Sequence, residues 1–107
     1  MGKSKLEQEF DLAMMEIYLR ARSEAAYTAS IFHGMLSKMG GLATARQLIN
    51  DTKESQGYTA LWERGRLDLT VEAVVHDNPK WHLLFDPSEL ENARKRLDKY
   101  GYFKQRP

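Results

Sequence analysis

Cysteine is absent from the 107 residues. Its absence excludes disulfides, cysteine-ligated zinc, iron–sulfur clusters and thiol nucleophiles, and it fits a reducing cytosol. No apolar run approaches the roughly 18 residues that would point to a membrane-crossing helix. Neither sign of charge prevails: sixteen Lys and Arg stand against fifteen Asp and Glu, a net charge of +1. No overall field therefore marks the chain as a dedicated polyanion binder. The opening Met1-Gly2-Lys3-Ser4-Lys5-Leu6 is basic but runs into a charged amphipathic stretch, unlike the apolar centre of a secretion signal. Leu6 also fails the myristoylation pattern. What is present is an ordinary soluble mixture, 42% hydrophobic and 29% charged. It predicts one helical domain over residues 1–107, frayed at 1–5 and 104–107.

The apolar spacing is helical. Leu6, Phe10, Met14, Ile17, Tyr18 and Ala21 recur in threes and fours, predicting a helix from about Leu6 to Glu24, with Ala25-Ala26 as a possible continuation. A second helix is expected from an N-cap at Thr28, stapled by Tyr27 onto Phe32. It carries the stripe Ile31, Phe32, Met35, Leu36, Met39 and stops at Gly40-Gly41. A third spans about Leu42 to Asn50. Residues 51–57 are the most polar stretch and read as a loop within the domain. Thr59 to Arg64 reads as a short helix with Leu61 and Trp62 inward, and Gly65 as its left-handed stop.

Asp68 or Thr70 then caps a helix to about His76. The alternation of Leu67, Leu69 and Val71 would also suit a strand, but the caps favour a helix. Asn78-Pro79 turns the chain, and Lys80 to Phe85 makes one loose helical turn. Asp86, Pro87 and Glu89 form the N-cap, first position and capping box of the last helix, which Gly101 ends. The fold expected is all-α, a single-domain bundle of five main helices plus one short helical turn. Its core is centred on Phe10, Ile17, Phe32, Leu36, Leu48, Leu61, Trp62, Val74, Leu90 and Leu97.

From Leu61 the chain reads Leu-Trp-Glu-Arg-Gly-Arg-Leu-Asp-Leu-Thr-Val-Glu. This run resembles a family of small, uncharacterised bacterial proteins with the pattern Leu-Trp-Glu-x-Gly-Arg-Leu-Asp-Leu-Thr-Val-Glu. The similarity extends upstream to Gly40 through Leu48 and downstream to Trp81, Leu84-Phe85 and Tyr100-Gly101-Tyr102. Such stretches occur alone and at the ends of larger proteins, some of them nuclease-like. The resemblance implies a bacterial origin and supports the helical architecture, but it supplies no catalytic residue. Glu24 to Ala29 departs from it, being Ala-rich where a Gly-Tyr-Asn-Pro-like helix break is expected.

No nucleophile elbow, phosphate-cradling glycine loop or His-Glu-x-x-His motif occurs, so no catalytic residue and no cofactor are expected. His76-Asp77 and His82 cross a proline turn and do not share a helix face, so no metal site is expected either. The Tyr58, Trp62, Arg66 neighbourhood would line a partner groove if one opens there. Residues 28–50 have the outline of a helix-turn-helix, in which Thr44, Arg46 and Gln47 would face a DNA groove. One basic residue on that helix is few for phosphate contacts. Residues 68–92 carry six acids against Lys80, whereas residues 93–107 carry six bases against Asp98. Arg94, Lys95, Arg96 and Lys99 on the basic helix 87–100 are the other candidate nucleic-acid contacts, although at about 100° per residue they form a rim and not a clamp. The reading favoured is a non-enzymatic protein-interaction or accessory module of a bacterial cytosol, its partner a protein or a second copy and not a membrane. The alternative is a weakly binding nucleic-acid accessory domain of a restriction or defence-type system.

Overall fold

Ser4 opens the first element: its hydroxyl accepts the Glu7 N–H at 3.1 Å. In the computed structural model, which describes residues 3–104, helix α1 then runs Lys5–Glu24. Phe10, Met14, Ile17 and Ala21 are its buried stripe, as the spacing predicts. Within the stretches expected to fray, Lys3 pairs with Asp11 at 2.7 Å and Lys104 closes the last 3-10 turn. Met1, Gly2 and residues 105–107 lie outside the described residues. The helix does not continue through Ala25-Ala26. Ala21 O accepts the N–H groups of both Ala25 and Tyr27 at 3.0 Å, and Ala26 takes φ 52°, a left-handed stop more often given to glycine.

Helix α2 (Ser30–Met39) begins one residue later than a Thr28 cap would have it. Ala29 holds the N-cap position without any side-chain bond. Tyr27 packs with Ala21, Leu61 and Leu69. Gly40 at φ 84° turns the chain into α3 (Gly41–Asn50). The Gly41 N–H donates to Asp11 Oδ1 at 2.7 Å, so a carboxylate of α1 sits on the positive end of α3. A Cβ at Gly41 would stand 3.2 Å from the Asp11 Cα. The two helices meet this closely because position 41 has no side chain.

Ser55 starts α4 (Gln56–Glu63) three residues before Thr59, by accepting the Tyr58 N–H at 3.0 Å. Gly65 follows it at φ 71°, as expected. The chain then makes a 3-10 turn, Leu67–Leu69, and Thr70, not Asp68, caps α5 (Val71–Asp77) through the Ala73 N–H at 3.2 Å. The Asn78 side chain starts a 3-10 segment, Pro79–Leu84. Helix α6 (Pro87–Lys99) opens with Glu89 accepting the Asp86 N–H at 2.9 Å. The class is all-α, with no strand among the described residues. They hold six α-helices and three 3-10 segments, where five main helices and one short turn were expected. The difference comes from the Ser55 cap, which gives α4 two full turns, and from turns that close too tightly to be α-helical.

Phe10 is the centre of the main core. It meets Trp81 edge-to-face at 5.2 Å and Phe85 at 5.6 Å, with Met14, Ile17, Ala45, Ile49, Val71, Val75 and Ala93 around them. Tyr58, Leu67, Ala73, Leu97 and Tyr102 form a second cluster. Of the expected core, Phe10, Ile17, Leu61 and Leu97 are buried, while Phe32, Leu36, Leu48, Val74 and Leu90 pack against the core in part. Trp62 is a correction: it is 43% exposed. Tyr58 and Leu61 set the inward direction of α4, and Trp62 lies about 70° from it, leaning on the Tyr100 ring at 5.2 Å. Trp81→Ala is therefore expected to cost about 3–5 kcal/mol in a chemical melt. Trp62→Ala should cost under about 2 kcal/mol, in proportion to its smaller burial. Equal costs would return Trp62 to the core.

Candidate functional site: a cleft between two helices

Helices α1, α2 and α4 each contribute residues to one concavity. Between them lies an apolar cleft of about 310 Å³. Ile17, Tyr18 and Ala21 of α1 and Leu69, Thr70 and Val71 before and at the start of α5 line it. One wall is Ile31, Phe32 and Met35 of α2; the other is Gln56, Gly57, Tyr58 and Leu61 of α4. The α1–α2 linker closes one end with Tyr27, Thr28 and Ala29, and Leu48 comes from α3. Glu72 is the one carboxylate among the lining residues, and no cation is among them. Helix α2 has five large apolar residues in ten and buries none of them fully. Ile31 is 71% exposed.

Glu72 is 2% exposed, and its charge is met by Arg96 of α6. Arg96 Nη1 donates to Glu72 Oε2 at 2.8 Å and to Leu48 O at 3.1 Å, and Nη2 donates to Asp51 O at 2.6 Å. Burial pushes the Glu72 carboxyl up, against the pull of the guanidinium. Tyr58 is buried too. Its hydroxyl donates to Arg96 O at 3.1 Å, and burial, with Glu72 nearby, raises its pKa.

The structure does not gather Tyr58, Trp62 and Arg66 into one groove. Tyr58 lines the cleft, Trp62 leans on Tyr100 outside it, and Arg66 is tied elsewhere. Arg66 Nε donates to Asp68 Oδ1 at 3.0 Å and Nη2 to Glu24 Oε1 at 2.8 Å, which raises the Arg66 pKa. Arg20 and Arg66 together draw the Glu24 carboxyl down from 4.5 to about 2.

The candidate nucleic-acid contacts are also dispersed. Thr44 is fully buried, and its hydroxyl has no hydrogen-bond partner among the described residues. Arg46 Nη2 donates to Leu84 O at 3.0 Å, and its Nε lies 3.6 Å from Glu89. Gln47 is exposed on the same helix. On α6, Arg94 pairs with Glu91 at 2.6 Å and Lys99 with Glu54 at 3.3 Å. Lys95 is exposed, whereas Arg96 points inward to Glu72. Among the described residues, no three His, Asp or Glu groups are placed to hold a metal ion. His82 Nε2 lies 3.2 Å from His76 O.

Sequence reasoning missed the cleft walls on α2 and the inward role of Arg96. The α2 stripe contained a hint, since five large apolar residues in ten spread over about 140° of the helix, more than one neighbour covers. Arg96 had none, because it sits in a basic run that reads as a solvated face. Comparison with known proteins finds no match to the chain among family models, curated proteins or solved structures.

Arg96→Met is expected to destabilise by about 3–5 kcal/mol in a urea melt, because it leaves Glu72 buried and unpaired. The Arg96→Met, Glu72→Met double variant should regain most of that loss. A single-variant loss under about 1 kcal/mol would mean that Glu72 is solvated or neutral without Arg96. Glu24 behaves as an exposed group with a depressed pKa. What it contributes is present above 4.5 and lost as pH falls towards 2. Carboxyl NMR should find its midpoint near 2, and a midpoint near 4.5 would show that the Arg20 and Arg66 pairs are open in solution.

Proposed function

We propose that the chain is a non-enzymatic interaction module whose cleft between α2 and α4 receives an apolar surface of a protein partner. The observation that carries this reading is α2 itself, which brings five large apolar side chains to the domain and buries none of them fully. Phe32 and Leu36 pack against the core only in part, so much of the apolar surface of α2 is left uncovered, and an uncovered apolar patch next to a preformed cleft is the usual form of a docking site. The bacterial setting rests on the sequence resemblance alone, and the cytosol on the absence of cysteine. The cations named for nucleic acid are mostly spent on Glu89, Glu91, Glu72 and Glu54. The same reading therefore expects duplex DNA to bind with Kd no tighter than about 10⁻⁵ M at physiological salt.

The test is photo-crosslinking in the producing cell. A benzoylphenylalanine replaces Ile31 at the cleft or Leu83, which is 85% exposed and lies outside it. Protein adducts are expected at position 31 and not at 83, and they should disappear when Met35→Asp is added. Equal adducts at both positions, nuclease-sensitive adducts alone, or indifference to Met35→Asp would overturn the proposal.

A further inference from the structure

Seven arginines lie among the described residues. Five of them pair with carboxylates: Arg20 with Glu24, Arg46 with Glu89, Arg66 with Glu24 and Asp68, Arg94 with Glu91, and Arg96 with Glu72. Arg22 and Arg64 have no carboxylate partner among the described residues. They are also the two arginines whose guanidinium stands over a tyrosine of the cleft. Arg22 lies 5.7 Å from the Tyr18 ring centroid and Arg64 lies 5.0 Å from that of Tyr27. Both arginines are exposed.

A guanidinium resting on an aromatic face is held in position, yet its N–H edge is free for an acceptor. Arg64 spends Nε on Ala25 O at 3.1 Å and Nη1 on Ala60 O at 3.0 Å, which leaves Nη2. The Arg22 side chain makes no hydrogen bond with another described residue. Lys38, exposed on α2 two turns beyond Ile31, has no carboxylate partner either. The one carboxylate in the cleft, Glu72, is already met by Arg96. The cleft is thus apolar inside and carries unmatched positive charge beside its linker end.

The walls narrow the shape of the occupant. They are helices, whose backbone groups beyond the first turn are used within each helix, so no sheet edge is offered to an extended peptide. A helix laid along α2 presents side chains at i, i+3 or i+4, and i+7 over about 10 Å, within the roughly 15 Å length of the ten-residue α2. We propose that the occupant is an acidic amphipathic helix of a partner protein. Its apolar stripe fills the cleft, and Asp or Glu beside that stripe pairs with Arg22 and Arg64. This inference rests on the cleft being the docking site.

The experiment uses the intact chain and a phage-displayed library of helical peptides, about sixteen residues long, with Leu fixed at i, i+3 and i+7 and the other positions random. Enriched peptides are expected to carry more Asp and Glu than Lys and Arg. Their affinity should fall as salt rises. It should also fall about tenfold in the Arg22→Glu, Arg64→Glu variant, since each exposed pair is worth up to about fivefold. Arg64 also ties the linker to α4, so Arg22→Glu alone is the second variant. It removes no side-chain hydrogen bond or ion pair within the described residues, only the contact with the Tyr18 ring, and a loss of about threefold or more is expected. Enriched peptides without acidic bias that ignore Arg22→Glu but are lost on Met35→Asp would overturn the acidic partner and leave the cleft reading standing. No enrichment, or binding indifferent to Met35→Asp, would remove both. Micromolar self-association abolished by Met35→Asp would put a second copy in the cleft and overturn the inference.

Discussion

Arg96 and Glu72 form the contact on which the arrangement of the domain depends. Arg96 rises from α6, and with three hydrogen bonds it reaches the carboxylate of α5, the carbonyl of Leu48 on α3 and the carbonyl of Asp51 just beyond it. One side chain therefore fixes three elements against each other and satisfies acceptors at the end of α3, where a helix leaves carbonyls without partners. Two buried charges do not yield much net stability, because the cost of removing them from water offsets most of their attraction. Their effect is selective. A packing of α5 on α6 that shifts either group strands a charge in the core, and only the native register avoids it. Leu48 and Glu72 both line the cleft, so the same contact sets the shape of its inner end.

That role also explains why the basic end of the chain is electrostatically quiet. Net segment charge suggested a positive patch opposed by an acidic segment. Folding pairs the two across the tertiary structure, Arg96 with Glu72, and within α6, Arg94 with Glu91, while Arg46 of α3 takes Glu89. Of the arginines, the two left without a carboxylate lie instead beside Tyr18 and Tyr27, away from α6, at residues that no charge run announces.

What the sequence made legible was local. The Gly65 stop, the Glu89 bond at the start of α6 and the α1 stripe all follow from interactions within about four residues, and all stand in the structure. Thr70 as the cap of α5 was one of two candidates for the same reason. The misreadings are tertiary. Trp62 and Trp81 are equivalent by composition, but Phe10 and Phe85 surround the second while Tyr100 merely leans on the first. Thr28 has the chemistry of a cap, yet the left-handed turn at Ala26 hands that position to Ala29. Ser55 reads, by sequence alone, as one polar residue in a polar loop, yet it caps α4. Thr44 was assigned to a DNA-facing surface by the outline of a hairpin, whereas the close approach of α1 at Gly41 turns that side of α3 inward and buries it.

The cleft follows from these tertiary events. Because α1 stops at Ala26 and α2 begins late, the linker stands up as an end wall, and α2 lies along α1 and α3 with one flank uncovered. Because Ser55 starts α4 early, Gly57 and Tyr58 face that flank across the gap. The linker wall and α4 come close at Gly57, where the nearest atom to an added Cβ is the Tyr27 hydroxyl, at an ordinary contact distance of 3.7 Å. Stability and recognition thereby fall on different residues. Phe10, Trp81 and Arg96 hold the fold and do not line the cleft, while Ile31 and Met35 line it and contribute little to the core. Covering Ile31 fully is worth up to about 1.5–3 kcal/mol of apolar transfer, and most of its surface is still exposed. Folding leaves that free energy unused, so it is available to whatever docks.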